Sequence, residues 1–236
     1  MIYIVVNVMV RVAVKLVSWD EIVDWARDLS NKIIDSGWGP EVIMAVARGG
    51  YVPARLVCDN LGVTDLVSVQ VVHWPSTAQV IEKAFIKHEA KGESLTGKRV
   101  LVIDDIVDTG DSIALAKAYA EKSGASEVRS AALQWISTVA KFKPDYYSLN
   151  VTDWKWFVYP WNVTEDVTNF VKRIVTEEAS SKKRWGLTEI VDKMREWYGD
   201  EVMKVPLSYI SKALNNLEQL GLMSRTSDGA EYIVNK

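Results

Sequence analysis

The sequence predicts an α/β fold in which a mainly parallel β-sheet is covered by helices. Two apolar runs without polar alternation, residues 42–47 and 100–103, have the pattern of strands that are buried on both faces. Each run is followed by a turn and then by a helix-like stretch, which indicates repeated strand-turn-helix units. The 236 residues, 48% hydrophobic and 25% charged, are enough for one such domain and a small appendage.

The N-terminal residues 1–17 are strongly apolar, but Asn7, Arg11 and Lys15 interrupt them. A membrane span needs about 20 apolar residues, and no small-residue cleavage site follows this segment. We therefore expect β-structure here and no membrane partner. A capping box of the form S-x-x-E comes next and predicts a helix over residues 18–36.

The first strand-turn-helix unit contains a turn that suits an anion. The strand at 42–47 is followed by Arg48, Gly49 and Gly50, and then by a short predicted helix that ends near residue 61. Paired glycines let the main chain approach a ligand closely, and Arg48 adds a fixed positive charge suited to pyrophosphate.

A long segment without periodicity, residues 73–97, follows the next predicted strand at 66–72. A connection of this length inside a compact domain is usually functional, often as a lid. Lys83, Lys87 and His88 lie in it as candidate cations for a pyrophosphate. A solvated basic hairpin explains each of them equally well.

The most informative stretch begins with the strand at 100–103. Asp104 and Asp105 follow that strand directly, at the edge where open α/β sheets bind ligands. A short turn then leads into a predicted helix over residues 113–122. Main-chain N–H groups of such a turn, with the positive end of the helix, form a site for a phosphate dianion. The turn consists of Asp108, Thr109, Gly110, Asp111 and Ser112.

Further strands are predicted at 128–134 and 148–151. An aromatic stretch, residues 153–161, comes after them and ends in Pro160-Trp161. By itself this stretch is either a hydrophobic plug or a platform on which a ligand ring stacks.

Three of these stretches together resemble the type I phosphoribosyltransferases. Residues 100–112 resemble the ribose-phosphate signature of that family, in which four apolar residues, Asp-Asp, two apolar residues and Asp-Thr-Gly-x-Ser follow one another. Arg48-Gly49-Gly50-x-Val-Pro resembles the pyrophosphate turn of its 6-oxopurine branch, and residues 153–161 resemble the W-[IF]-x-x-P-W hood over the base.

The resemblance covers about residues 16–175. It implies the type I phosphoribosyltransferase fold, with residues 1–175 as the transferase domain and 176–236 as a C-terminal extension. It also implies purine salvage, in which the phosphoribosyl group of phosphoribosyl diphosphate (PRPP) is transferred to a purine base and pyrophosphate is released.

The resemblance assigns a role to each candidate residue. Asp104, Asp105 and Asp108 are the catalytic candidates, and the first two would hold the ribose hydroxyls and a Mg²⁺ ion. The 5′-phosphate would bind to the turn of Asp108, Thr109, Gly110, Asp111 and Ser112. The pyrophosphate would bind to Arg48, Gly49, Gly50, Lys83 and Lys87. The base would contact Ser137, Trp156, Phe157 and Val158.

Two positions disagree about the identity of the base. Asp108 matches the aspartate that 6-oxopurine enzymes hold near purine N7, whereas the usual adenine enzymes have Ala there. The lysine with which 6-oxopurine enzymes donate to O6 is missing, and Ser137 or Ile136 occupies its place. A C6 amino group needs an acceptor, and a lysine has none. We therefore expect adenine as substrate and AMP as product, with hypoxanthine, guanine or xanthine as the alternative.

The C-terminal extension is predicted to be mainly helical. Helices at 187–198 and 208–220 and a terminal hairpin indicate a three-helix or winged-helix-like unit, which raises the alternative of a purine- or PRPP-sensing transcriptional regulator. Residues 180–236 contain nine Lys and Arg against eight Asp and Glu, so nucleic acid is not an expected partner. The resemblance implies a homodimer, and the single Cys58 in an apolar run favours the reducing cytoplasm.

Overall fold

The computed structural model describes residues 11–72, 84–90 and 94–235. Its helices are α1 (Trp19–Asp35), α2 (Tyr51–Leu61), α3 (Asp111–Lys122), α4 (Val163–Glu177), α5 (Leu187–Tyr198) and α6 (Leu207–Gln219), with a 3-10 helix at Asp200–Lys204. Its strands are β1 (Val14–Leu16), β2 (Val42–Ala47), β3 (Asp65–Val72), β4 (Phe85–His88), β5 (Arg99–Val107), β6 (Glu127–Ile136), β7 (Tyr146–Val151), β8 (Trp156–Val158), β9 (Arg184–Gly186), β10 (Met223–Arg225) and β11 (Glu231–Val234).

The chain divides into two compact units. The sheet unit is Trp19–Trp154, and the described part of the other, the tail unit, comprises residues 11–18 and 155–235. The chain thus passes from one unit to the other near residues 18 and 154, and not near residue 175 as expected. The physical reason is that α4 packs with α5 and α6 around one hydrophobic core. The extent of the transferase domain as residues 1–175 stays a prediction.

The sheet unit is built on six strands in the order β4-β3-β2-β5-β6-β7. Neighbouring strands run parallel, except that β4 is antiparallel to β3. All six residues of β2 are buried, as are most of those in β5, which confirms the apolar runs as central strands. The predicted α/β fold with a mainly parallel sheet is confirmed.

The segment predicted as an aperiodic lid contains a regular element. β4 lies within residues 73–97 and extends the sheet beyond β3. Its side chains are mostly exposed, so the sequence shows no apolar alternation there. Residues 73–83 and 91–93 fall outside the described residues.

The tail unit has the element order of a winged helix. α4, β9, α5, α6 and the β10–β11 hairpin follow one another, and the three strands form a small antiparallel sheet in the order β10-β11-β9. The winged-helix-like prediction for the extension is confirmed in its architecture. Within the described residues, no helix has the length and apolarity needed to cross a bilayer.

Candidate active site

Two carboxylates lie at the carboxyl end of the central strand β5. Asp104 is 9% exposed and Asp105 is 7% exposed. The Asp104 side chain accepts a hydrogen bond from the Asp105 main-chain N–H at 2.9 Å, and Asp105 accepts one from the N–H of Ile106 at 2.9 Å. Burial, and then the negative charge of Asp105, raise the pKa of Asp104 well above its ordinary value. Two adjacent buried carboxylates repel each other when both are charged, and a bound cation would relieve that repulsion, so this site is suited to a cation.

The Arg48-Gly49-Gly50 turn meets these carboxylates in space. It follows β2, which runs parallel to β5 with Ala45 opposite Ile103, so both strands end at the same edge of the sheet. A Cβ placed on Gly49 would lie 2.6 Å from Cγ and 2.7 Å from Oδ1 of Asp105. Only a residue without a side chain permits this approach. The turn and the carboxylates therefore form one site.

The same turn opens helix α2. Arg48 is exposed and is joined to Ala47 by a cis peptide bond, and the Gly50 N–H donates to the carbonyl of Val46 at 2.9 Å. α2 starts at Tyr51, so the positive end of its dipole lies at this turn. A guanidinium group and a helix N-terminus together form a suitable site for a pyrophosphate.

The turn after β5 lines a cavity of about 130 Å³ together with both carboxylates. Gly110 adopts φ 92° and caps α3, and a Cβ there would lie 2.5 Å from Cβ of Phe142. The Thr109 hydroxyl donates to the Asp111 carboxylate at 3.0 Å, and the Thr109 carbonyl accepts the N–H of Lys141 at 2.9 Å. The loop after β6 therefore packs against this turn and stabilises it. The cavity is lined by Asp104, Asp105, Ile106, Val107, Asp108, Thr109, Gly110, Ser112 and Ile113.

The loop between β6 and β7 carries residues that sequence reasoning did not assign. Phe142 packs behind Gly110, and the Lys143 ammonium lies 5.4 Å from the centre of the Trp135 ring and 5.9 Å from that of Tyr147. No local pattern identifies these contacts, because they depend on the pairing of β5, β6 and β7. Ser137 begins this loop, and its N–H donates to the carbonyl of Val151 at 3.1 Å.

Of the two predicted lysines of the pyrophosphate site, the structure describes Lys87, which does not line the cavity. Lys83 lies outside the described residues. Lys87 is exposed on β4, and two strands, β3 and β2, separate β4 from β5. Their pyrophosphate role stays a prediction.

The three predicted residues of the base hood form β8 in the tail unit. Trp156 is partly buried, and its indole Nε1 donates to Oδ1 of Asp166 at 3.1 Å. Val158 is buried and its carbonyl accepts the N–H of Val17 at 3.0 Å. Phe157 lies between them and is partly buried.

Solved structures of other proteins resemble this chain over most of their own length. The purine phosphoribosyltransferase of Pyrococcus horikoshii Ot3 is 30% identical, with a TM-score of 0.54, and the match covers 63% of this chain and 93% of that one. A hypothetical protein from Neisseria gonorrhoeae with bound ppGpp is 25% identical, with a TM-score of 0.56 and coverages of 64% and 90%. The xanthine-guanine-hypoxanthine phosphoribosyltransferase of Helicobacter pylori, at 23% identity, a TM-score of 0.52 and coverages of 66% and 97%, shares the fold.

A family model gives the decisive comparison. The model of the phosphoribosyl transferase domain matches residues 16–166, which include the Arg48 turn, the paired carboxylates and the phosphate turn. The resemblance expected from the sequence is thereby confirmed. The chain belongs to the phosphoribosyltransferase family, as a type I phosphoribosyltransferase and hence a pentosyltransferase.

Proposed function

We propose that this protein is a purine phosphoribosyltransferase that joins a purine base to the ribose of PRPP and releases pyrophosphate. The observation that carries the proposal is the contact of the Gly49 main chain with the Asp105 carboxylate. This contact joins the turn proposed for the pyrophosphate to the carboxylates proposed for the ribose, beside a cavity of about 130 Å³. The purine phosphoribosyltransferase of Pyrococcus horikoshii Ot3, at 30% identity, supports the purine as acceptor.

In this reaction the bond from ribose C1′ to the pyrophosphate oxygen breaks and a bond from C1′ to a purine ring nitrogen forms. The transition state resembles an oxocarbenium ion, as at other glycosidic centres. The turn 108–112 would hold the 5′-phosphate with its main-chain N–H groups, and Arg48 would stabilise the charge that develops on the leaving pyrophosphate. Asp104 and Asp105 would hold the ribose hydroxyls. Catalysis then depends mainly on position and charge.

The same carboxylates fit a Mg²⁺ ion. Within the described residues, no group of three or more His, Cys, Asp or Glu side chains could hold a metal alone. Mg²⁺ normally binds one or two carboxylates and completes its shell with water and substrate phosphates. Two adjacent buried carboxylates, one with a raised pKa, match that requirement. When bound, the ion would neutralise charge on the pyrophosphate.

For the base we propose adenine, and hence AMP as product. By resemblance, Ser137 or Ile136 takes the position of the base-reading lysine of 6-oxopurine enzymes. Of the two we propose Ser137, which lies directly after β6, at the same edge of the sheet as Asp108. A serine hydroxyl accepts as well as donates, so it can pair with a C6 amino group. Asp108 favours the second candidate, a hypoxanthine, guanine or xanthine enzyme. Phe157 would stack on either kind of base, a contact worth roughly 1–3 kcal/mol.

Steady-state rates with adenine, hypoxanthine, guanine and xanthine at saturating PRPP and Mg²⁺ test this assignment. Adenine should have the highest kcat/KM, because a mismatched C6 group leaves buried polar groups unpaired. Preference for hypoxanthine or guanine would replace adenine by the second candidate. Absence of pyrophosphate release with all four bases would overturn the purine transferase proposal.

We also propose a homodimer that works in the cytoplasm. The homodimer rests on the family resemblance alone, and light scattering of the purified full chain measures it directly. The buried Cys58 thiol, whose pKa is raised by burial, supports a reducing environment.

A further inference from the structure

Strand β8, which carries the proposed base-binding residues Trp156, Phe157 and Val158, has few main-chain hydrogen bonds to hold it in place. It pairs in parallel with β1 over three residues, from Val14 opposite Trp156 to Leu16 opposite Val158. The N–H of Trp156 adds a hydrogen bond to the carbonyl of Ala13 at 2.8 Å. A two-stranded ladder of this length is not stable in water by itself. Packing of its side chains must therefore hold the strand in place.

The side chain of Trp156 joins β8 to helix α4. Its indole N–H donates to the carboxylate of Asp166, which is 3% exposed in the first turn of α4. A hydrogen bond to a carboxylate is stronger than one between neutral groups. The bond is partly buried, so removing its acceptor costs a hydrogen bond that anchors β8 to α4.

The same side of β8 packs against the core of the tail unit. Val158 belongs to that core, and Trp156 packs against it. Side chains alternate along a strand, so Phe157 faces the other way. The core includes residues of all three tail helices, namely Val167, Phe170, Val171 and Ile174 of α4, Ile190, Met194 and Trp197 of α5, and Ile210, Leu214 and Leu217 of α6.

The tail unit also holds the strand that pairs with β8. The N–H groups of Arg11 and Val12 donate to the carbonyl of Trp197 at 2.9 and 3.0 Å. The Arg11 guanidinium lies 3.5 Å from the centre of the Trp197 ring and 3.0 Å from the Glu177 carboxylate. A cation-π contact and an ion pair at the segment before β1 thus tie this strand to α5 and α4.

We propose that Asp166 is a positioning residue for the purine base, because it anchors Trp156 and with it the strand β8 that carries the proposed base-binding residues. Asp166 fixes the Trp156 indole, which orients β8 and thereby the Phe157 ring and the Val158 main chain. Trp156 is in this view a structural anchor, and Phe157 is the stacking ring. The inference rests on the proposed function. It predicts that loss of the contact between Asp166 and Trp156 affects use of the base more than use of PRPP.

Four variants of the full chain test this. Asp166→Ala removes the acceptor, Trp156→Phe removes the indole N–H, and Asp166→Asn keeps an oxygen acceptor as the conservative rescue. Ile210→Val weakens the same core without touching Trp156, and so is the control for lost stability. The measurements are KM for the base, kcat/KM for PRPP and the melting temperature.

Asp166→Ala and Trp156→Phe should each raise KM for the base about tenfold, the scale expected for the loss of one hydrogen bond. In Asp166→Ala, kcat/KM for PRPP should stay within about twofold of wild type, and Asp166→Asn should recover most of the base affinity. Where Asp166→Ala fails to fold, Trp156→Phe decides. Unchanged KM for the base in a folded, active Trp156→Phe variant, or an equal rise in Ile210→Val, would overturn the proposal.

The wild-type assay separates the two hypotheses. A wild-type protein that forms no nucleotide from any purine refutes the proposed function. A wild-type protein that is active, with variants whose base KM and PRPP efficiency change together, refutes the positioning role alone.

Discussion

Replacement of Gly49 by alanine tests whether the turn and the carboxylates form one site. The added methyl group would lie 2.6–2.7 Å from two atoms of the Asp105 carboxylate. Carbon atoms pack best at about 3.5–4.0 Å, so the turn or the carboxylate must move by roughly 1 Å. A displacement of this size at a reacting centre costs about 100-fold in rate. We expect kcat/KM for PRPP to fall by about that factor, which corresponds to about 2.7 kcal/mol in the barrier.

The assay is pyrophosphate release at varied PRPP, with the melting temperature measured in parallel. Overpacking also lowers stability, by about 1–3 kcal/mol, so the comparison is made where both proteins are folded. Gly39→Ala is the matched control, since no heavy atom lies within 4 Å of a Cβ at that glycine. A folded Gly49→Ala variant with wild-type kcat/KM for PRPP would refute the reasoning.

Three further predictions concern charge. Joint replacement of Asp104 and Asp105 by Asn should reduce pyrophosphate release at least about 100-fold, because the ribose hydroxyls and the metal lose their carboxylates. Asp145→Asn should lower the free energy of unfolding at pH 7 by about 1 kcal/mol, since that half-exposed carboxylate accepts the N–H and the hydroxyl of Ser130, both at 2.7 Å. Burial raises the pKa of Asp145, but the hydrogen bonds from Ser130 and the charge of Lys117 outweigh it and leave the pKa below 3.8. A lowered native pKa stabilises the protein above the unfolded value, so the difference between the two proteins should shrink as pH falls below about 4 in thermal melts. Finally, the full chain should not retard duplex DNA in a gel-shift assay at about 100 mM salt, because binding to DNA normally requires a basic face.

Each of these predictions has a contrary result. If the double Asn variant released pyrophosphate at the wild-type rate, Asp104 and Asp105 would have no role in the reaction. A stability difference for Asp145→Asn that does not shrink at all as the pH is lowered from 7 to 2 would show that its origin is not the carboxylate charge. Salt-dependent DNA binding would favour the regulator, and the tail has the element order that such a module needs.

We expect no binding to DNA because several basic side chains of the tail unit are paired with acidic ones. In the tail unit, Arg225 lies 4.0 Å from Glu218, and Arg184 on β9 lies 3.9 Å from Glu231. Lys204 is paired with Glu201. These pairs leave little positive potential for phosphate contacts.

The local elements of this protein could be predicted from the sequence because short windows of residues determine them. The apolar run 42–47 is β2 without any change of bounds, and the predicted helix at 187–198 is α5. The turn at 108–112 was also predictable, since Gly110 and the hydroxyl residues around it form a local structure between a strand and a helix. Its binding of phosphate stays a prediction. β4 was missed because an exposed edge strand carries no apolar pattern.

The contacts that make the candidate site depend on the tertiary structure. Gly49 meets Asp105 only because β2 and β5 are neighbours in the sheet, and Phe142 reaches Gly110 only because β6 and β7 continue it. β8 pairs with β1 from the other end of the chain, and Trp156 finds its partner in Asp166 on α4. Such contacts result from the packing of whole elements. They cannot be predicted from a short window of neighbouring residues, because the interactions that stabilise them join residues far apart in the sequence.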